Sequence, residues 1–440
     1  MARNIDNSET KELIGFYQLG LDSIIQGNYS ITSLDGKDPS WANEGYLPST
    51  EYVIEIEKSR IVEYQQTIES FFGITVFPVS DDKLYFGCGD KINESIPNTD
   101  EIISDNSEKN EDNSLSVEIS TRVTLPSYLD NLIYGEFFGA RYQPDHQLYE
   151  FNMNHAEEKL LIYLGTYFPR SFGESLCIFT PIIKSKVINS ELSSKDCINI
   201  LDIGCGSGGE ILGLLHVLED CEDNSIPINI YTYDGNQLVQ DILMELVSQF
   251  QIATKTKRRI QIYTNVKQID RSSDIEWIKA NSNTFSFDFI LCNKMCNELI
   301  SKAGIRDAYY LMCKAFAPLL DSNGLLLVLD VTTKDEKESK FYSELLNEQT
   351  NKFINENNRD FSTLLPISCA LHPECIKACF TQQKFYISHS QKKCDLSKVA
   401  YRILARKNVC ETYIKELGNL KEIVNESNKN LDNLNFCSLT

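Results

Sequence analysis

Apolar and polar positions alternate in blocks along the second half of the chain. INILDIG (198–204) is a nearly continuous apolar run, followed by a Gly-rich turn and the helical pattern GGEILGLLHVLEDC. Strand INIYTYD (228–234), helix NQLVQDILMELVSQF, strand IQIYTN (260–265), strand FDFILCN (287–293), helix RDAYYLMCKAFAPLL and strand GLLLVLDVT (324–332) come next. Strands apolar on both faces and separated by helices predict a parallel sheet with helices on both sides. After a charged helix (KDEKESKFYSELLNEQTNKFI), QKFYISHS and KVAYRILARK predict a closing pair of strands.

The first half is different. Residues 10–26 and the stretch around 50–72 carry apolar residues at helical spacing, and PVSDDKLYFGCGDKI predicts a strand or hairpin edge. Residues 93–114 are rich in Asn, Ser, Glu and Asp with little to bury, the composition of a linker. The expected organisation is an acidic α+β accessory domain over 1–92, a linker over 93–114, a helical cap over 115–194, an α/β domain over 195–408, and a helix with a frayed tail over 409–440.

Composition narrows the class. The 440 residues are 42 % hydrophobic and 24 % charged, a globular balance. The absence of a long apolar run and of an apolar leader segment predicts a cytoplasmic protein with no membrane span. The net charge of −21 disfavours phosphate backbones as partners. It is uneven: residues 1–120 hold 8 Lys/Arg against 23 Asp/Glu, whereas 365–410 hold eight basic side chains against Glu374 and Asp395. The 14 Cys are expected to be mostly reduced and buried.

The chemistry concentrates in Leu201-Asp202-Ile203-Gly204-Cys205-Gly206-Ser207-Gly208. Glycines between a strand and a helix let the backbone turn sharply and approach a ligand. Asp202, just before the first of them, repels a phosphate and suits a cationic amino group. Asp234 ends the second strand, where a carboxylate can accept hydrogen bonds from both hydroxyls of a ribose. A nucleoside carrying an amino acid meets both demands.

On LDIGCGSGGE, YTYDGN and FDFILCNKMCNEL, the chain resembles the class I S-adenosylmethionine-dependent methyltransferases over residues 195–408. The resemblance implies a Rossmann-like sheet with helices on both faces and a terminal antiparallel strand pair. It implies S-adenosylmethionine as cofactor, with Asp202 toward the methionine moiety, Gly204, Cys205, Gly206 and Gly208 as a backbone cradle, and Asp234 at the ribose with Asn236 nearby. The adenine slot falls at Thr264-Asn265-Val266 without an acid directly following; Asp270 and Asp274 come later. An NAD-type domain is the competing reading; it would want Gly at 209, no acid at 202 and a dehydrogenase residue set, and that set is not found.

The segment after the fourth strand faces the transferred methyl in that family. Asn293 matches the first position of the Asn/Asp-Pro-Pro-aromatic signature for planar nitrogens; Lys294, Met295 and Cys296 do not match the rest. Asn293 and Glu298 are the candidate catalytic residues, Asn293 also counted among the cofactor-binding ones; Glu298 is read as a helix first-turn acid or as a general base for an acceptor that starts protonated. Tyr142, His146, Tyr149, His155 and Glu158 form an aromatic stretch that either closes over the cofactor or caps the fold.

Cys369, Cys375, Cys379 and Cys394, with His372 and His389, form a cluster able to supply soft metal ligands, with reduced structural thiols as the alternative. The cluster resembles that of the methyltransferase-like mitochondrial small-ribosomal-subunit assembly family. Two functions follow: methyl transfer to a protein, peptide or small-molecule acceptor, or a ribosome- or RNA-associated factor using the basic 365–410 patch.

Overall fold

The computed structural model describes residues 52–55, 77–80, 83–86, 122–144, 157–221, 223–335, 339–370 and 375–416. The linker expected at 93–114 and the tail beyond 416 lie outside them. Residues 52–86 contribute a three-stranded antiparallel sheet of β1 (Tyr52–Glu55), β2 (Phe77–Ser80) and β3 (Lys83–Phe86), in the order β1-β3-β2. β2 and β3 are the expected hairpin. β1 corrects the helical reading at its own residues: Tyr-Val-Ile is β-branched and aromatic, and pairs with β3 from Tyr52 opposite Phe86 to Glu55 opposite Lys83.

The rest is a separate unit built on one nine-stranded sheet. Its elements are β4 (Arg122–Thr124), α1 (Ser127–Tyr134), α2 (Glu157–Ile183), α3 (Lys186–Ser193), β5 (Ile198–Ile203), α4 (Gly209–Leu218), β6 (Ile228–Asp234), α5 (Gln237–Thr254), β7 (Ile260–Val266), α6 (Ser272–Ser282), β8 (Phe287–Asn293), α7 (Cys296–Ser301), α8 (Ala308–Phe316), β9 (Leu320–Val331), α9 (Tyr342–Glu356), β10 (Phe361–Leu365), α10 (Ile367–Ala370), β11 (Gln383–His389), β12 (Lys392–Arg406) and α11 (Lys407–Glu416).

The strand order is β4-β11-β12-β9-β8-β5-β6-β7, with β10 also pairing β12. β5 to β9 run parallel; β12 is antiparallel to β9, β10 and β11. This is the expected Rossmann-like, doubly wound sheet with a closing antiparallel pair. The chain winds outward from β5 through β6 to β7, then returns to β8 on β5's other side. Ligands in such sheets bind beyond the strand C-termini at this reversal.

Side chains on β5 alternate between two cores. Ile198 and Ile200 join one with α2, α4 and α5; Leu201 and Ile203 join the other with α6 and α8. Each face is buried, as a parallel sheet requires. α2 packs on α4 at unusually short range. A Cβ on Gly209 would meet the carbonyl oxygen of Phe168 at 2.6 Å, and one on Gly213 that of Phe172 at 2.5 Å. Two glycines one turn apart thus make the groove in which α2 lies. That contact brings α2's N-terminal half over the turn after β5. β4 joins the main sheet beside β11, so residues 122–124 extend it.

Candidate functional site

The turn between β5 and α4 is built from backbone hydrogen bonds and one carboxylate. Gly204 N–H donates to the Tyr233 carbonyl at 2.7 Å, and Gly208 N–H to the Cys205 carbonyl at 2.8 Å. Asp234, at the tip of β6, accepts Gly206 N–H at 2.9 Å and Asn236 N–H at 2.8 Å, one on each oxygen. Gly206 sits at φ +47°, and a Cβ there would meet the Tyr163 hydroxyl at 2.7 Å. Only glycine combines that dihedral with that approach.

Asp202 is fully buried, and neither carboxylate oxygen has a hydrogen-bond partner. Burial, then the Glu210 charge, pushes its pKa well above the ordinary carboxylate range. A buried acid without donors is costly unless something positive or donating meets it.

A cavity of about 270 Å³ opens at the strand C-termini. Gly204 and Cys205 line it after β5, Tyr233 and Asp234 at the end of β6, Lys267, Gln268 and Ile269 after β7, and Asn293, Lys294 and Met295 after β8. Glu298, Glu210, Lys159, Tyr163 and Tyr167 also line it. Of the sequence candidates, Gly204, Cys205, Asp234, Asn293 and Glu298 line this space. Asp202, Gly206 and Gly208 are not among its lining residues, and Asn236 is taken up in capping α5, its Oδ1 accepting Leu238 N–H at 2.9 Å.

The end of β8 is held from both sides. Asn293 is 6 % exposed, and its Oδ1 has no hydrogen-bond partner. Lys294 adopts a left-handed φ of +54° and sends Nζ to Glu174 of α2 at 2.8 Å. Glu174 also accepts the Ser397 hydroxyl of β12. Asn297 N–H and the Tyr309 hydroxyl donate to buried Asp330 at 2.8 and 2.9 Å, and burial pushes that carboxyl up to about 7. Glu298 is half-buried, 3.9 Å from Lys302, and burial raises its pKa. Cys292 and Cys296 are buried with sulfurs 3.7 Å apart, a packing arrangement.

Two groups of lining residues escaped the sequence reading. Lys159, Tyr163 and Tyr167 come from α2, whose helical period was visible but whose crossing of α4 was not. Lys267, Gln268 and Ile269 follow β7 directly, one residue past the expected adenine slot. Asp274 holds Lys267 at 2.8 Å, which gives that acid its role. Within the aromatic stretch, Tyr142 donates to Asp395 at 2.9 Å and does not line the cavity. His146, Tyr149 and His155 lie outside the described residues, as does the side chain of Glu158.

The cysteine cluster is not assembled. Among the described residues no three His, Cys, Asp or Glu side chains are grouped as a metal site. Cys369, Cys375 and Cys379 are free thiols, in line with the expectation of mostly reduced cysteines. His372 lies outside the described residues, and His389 is buried against Tyr134 and Tyr142. The basic patch is also thinner than its sequence. Arg402 is fully buried, and burial lowers the pKa of Lys384 to about 8. No helix among the described residues is long and apolar enough to cross a membrane.

No family model matches the chain, and no curated protein matches it. Similar solved structures include the plantazolicin methyltransferase BamL in complex with a triazolic desmethylPZN analog and SAH, at 12 % identity and TM-score 0.31, covering 64 % of this chain and 95 % of that one. The plantazolicin methyltransferase BpumL in complex with SAH is similar at 13 % identity and TM-score 0.27, covering 44 % and 67 %. A SAM-dependent methyltransferase from Methanosarcina mazei is similar at 13 % identity and TM-score 0.26, covering 50 % and 96 %.

Proposed function

We propose that this protein binds S-adenosylmethionine and transfers its methyl group to a protein, peptide or small-molecule acceptor. The observation that carries the reading is Asp202: a fully buried carboxylate with two unpartnered oxygens, behind a glycine turn at the reversal point of the sheet. A ligand's ammonium group supplies the missing positive charge, directly or through one water. Asp234 spends one hydrogen bond per oxygen on the backbone and keeps capacity for two ribose hydroxyls. Asn236 supports it through its own N–H. The backbone of Gly204 and Cys205 forms the wall between them, and Lys267, Gln268 and Ile269 form the slot for the adenine ring.

When bound, the cofactor supplies an electrophilic methyl on a sulfonium. The protein's task is then alignment more than covalent help. Asn293 and Glu298, at the end of β8 and the start of α7, orient the acceptor and take its proton. Asp202→Asn keeps shape and removes charge. Calorimetry should show binding of S-adenosylhomocysteine weakened at least about tenfold, or 1.4 kcal/mol. Unchanged affinity in the folded variant rejects the assignment.

A further inference from the structure

The cavity holds more carboxylate than the cofactor reading uses. Asp202 and Asp234 are assigned there to the amino group and the ribose. Glu210, in the first turn of α4, and Glu298, in the first turn of α7, line the same space without an assigned partner in that ligand. Asp234, Glu210 and Glu298 all line this one cavity, with the Tyr163 ring beside them. Burial raises the pKa of both Glu210, to about 8, and Glu298, the response of acids short of compensating charge.

Two of the cations lining the cavity are committed elsewhere, while a third, Lys159 of α2, is exposed. Lys294 is bonded to Glu174 and Lys267 to Asp274, each at 2.8 Å. Lys302 forms a loose ion pair with Glu298 at 3.9 Å, beyond hydrogen-bond distance. Independently of the acids, Asn293 lines this cavity while 94 % buried, and its amide oxygen has no donor. Tyr163 and Tyr167, with ring centroids 5.2 Å apart, add aromatic surface to the wall.

We infer that the acceptor half of this cavity takes an amine that enters as an ammonium ion, with Asn293 and Glu298 receiving its N–H groups. The inference rests on the cofactor reading above for what lies beside the amine. An ammonium brings several N–H donors, the positive charge that converging acids favour, and a cation for aromatic faces. A hydroxyl brings one donor and no charge. A carboxylate meets Glu298 as a like charge. Glu298 has a second task. An ammonium nitrogen has no lone pair, so one N–H bond breaks, its electrons stay on nitrogen, and the proton forms an O–H on Glu298.

Three probes on one carbon frame test this by calorimetry on the full chain saturated with S-adenosylhomocysteine: phenethylamine, 2-phenylethanol and phenylacetate. Phenethylamine should bind at least tenfold more tightly than either other probe. Glu298→Gln and Asn293→Ala should each reduce that preference to less than threefold, with S-adenosylhomocysteine affinity held within threefold and folding checked by thermal melts. Equal binding of amine and alcohol, no amine binding at all, or a preference surviving in both variants overturns the inference. If S-adenosylhomocysteine itself fails to bind, the cofactor reading falls. The amine preference measured on the chain alone then decides this inference by the same criterion.

Discussion

The carboxylate of Asp234 accepts the backbone N–H of Gly206 across 2.9 Å, fastening the tip of β6 to the glycine turn after β5. Its other oxygen holds Asn236 N–H at the start of α5. One side chain therefore shapes two loops of the cavity before any ligand arrives. This couples local stability to ligand affinity, and the two can be separated by substitution.

Asp234→Ala leaves two buried N–H groups without an acceptor, at about 1–3 kcal/mol each when desolvation is complete. Denaturant melts should show a loss of at least about 1 kcal/mol, and calorimetry an S-adenosylhomocysteine affinity at least about tenfold weaker. Asp234→Asn keeps one acceptor oxygen and should melt between wild type and the Ala variant. A full-affinity Ala variant contradicts the ribose assignment.

Gly206→Ala introduces a Cβ 2.7 Å from the Tyr163 hydroxyl and an L side chain at φ +47°. The two costs differ in origin. Removing the oxygen with Tyr163→Phe relieves the clash and leaves the dihedral strain of about 1–3 kcal/mol. The double variant should therefore be more stable than Gly206→Ala alone while remaining below the Tyr163→Phe single variant. Strict additivity in a double-mutant cycle would place the hydroxyl elsewhere.

Much of this architecture was legible in the pattern of apolar runs. β6 and β8 occupy the same residues the sequence predicts: every residue of β8 is buried, and β6 is buried except for half-buried Asn229 and Tyr231 on one face. β10 was missed: Phe-Ser-Thr-Leu-Leu is short and half polar, and it becomes a strand by pairing with β12 from Phe361 opposite Arg406. Asp202 and Asp234 could be placed because each sits at or next to a strand end. Tyr163 could not, since it reaches the turn only through the contact of α2 with Gly209 and Gly213, which no local spacing encodes. Arg402 misled in the other direction. Counted as part of a basic surface, it points into the interior of the sheet's packing and is fully buried.

Glu210 gives the stability a pH dependence of known sign. Its pKa is raised by burial from 4.5 to about 8, so the folded chain binds this proton more tightly than the unfolded one. The contribution is fully present below the unfolded value and is lost as pH rises toward 8, with a slope of up to about 1.4 kcal/mol per pH unit. Glu210→Gln abolishes that titration. Melting wild type and variant from pH 5 to pH 9 should show the variant gaining relative to wild type as pH rises. A constant difference across the range refutes the buried protonated state.

The position of α2 depends on an ion pair far along the chain. Arg170 donates from Nε and one terminal nitrogen to the two oxygens of Asp395 on β12, both at 2.7 Å, and Tyr142 adds a third bond at 2.9 Å. The side chains are only 15 % and 3 % exposed. Removing one member of such a pair strands the other's charge, at about 3–5 kcal/mol, whereas replacing both with apolar groups of similar volume costs far less. Asp395→Leu should therefore melt well below Arg170→Met/Asp395→Leu. The ligand readout need not follow stability. Arg170 lies one turn beyond Tyr167 and two beyond Tyr163, both on the cavity wall. With the anchor gone, the double variant should regain thermal stability yet keep a weakened affinity for S-adenosylhomocysteine, because α2 is no longer held in register over the glycine turn. Wild-type affinity in a stable double variant would show that the α2–α4 contact alone places those tyrosines.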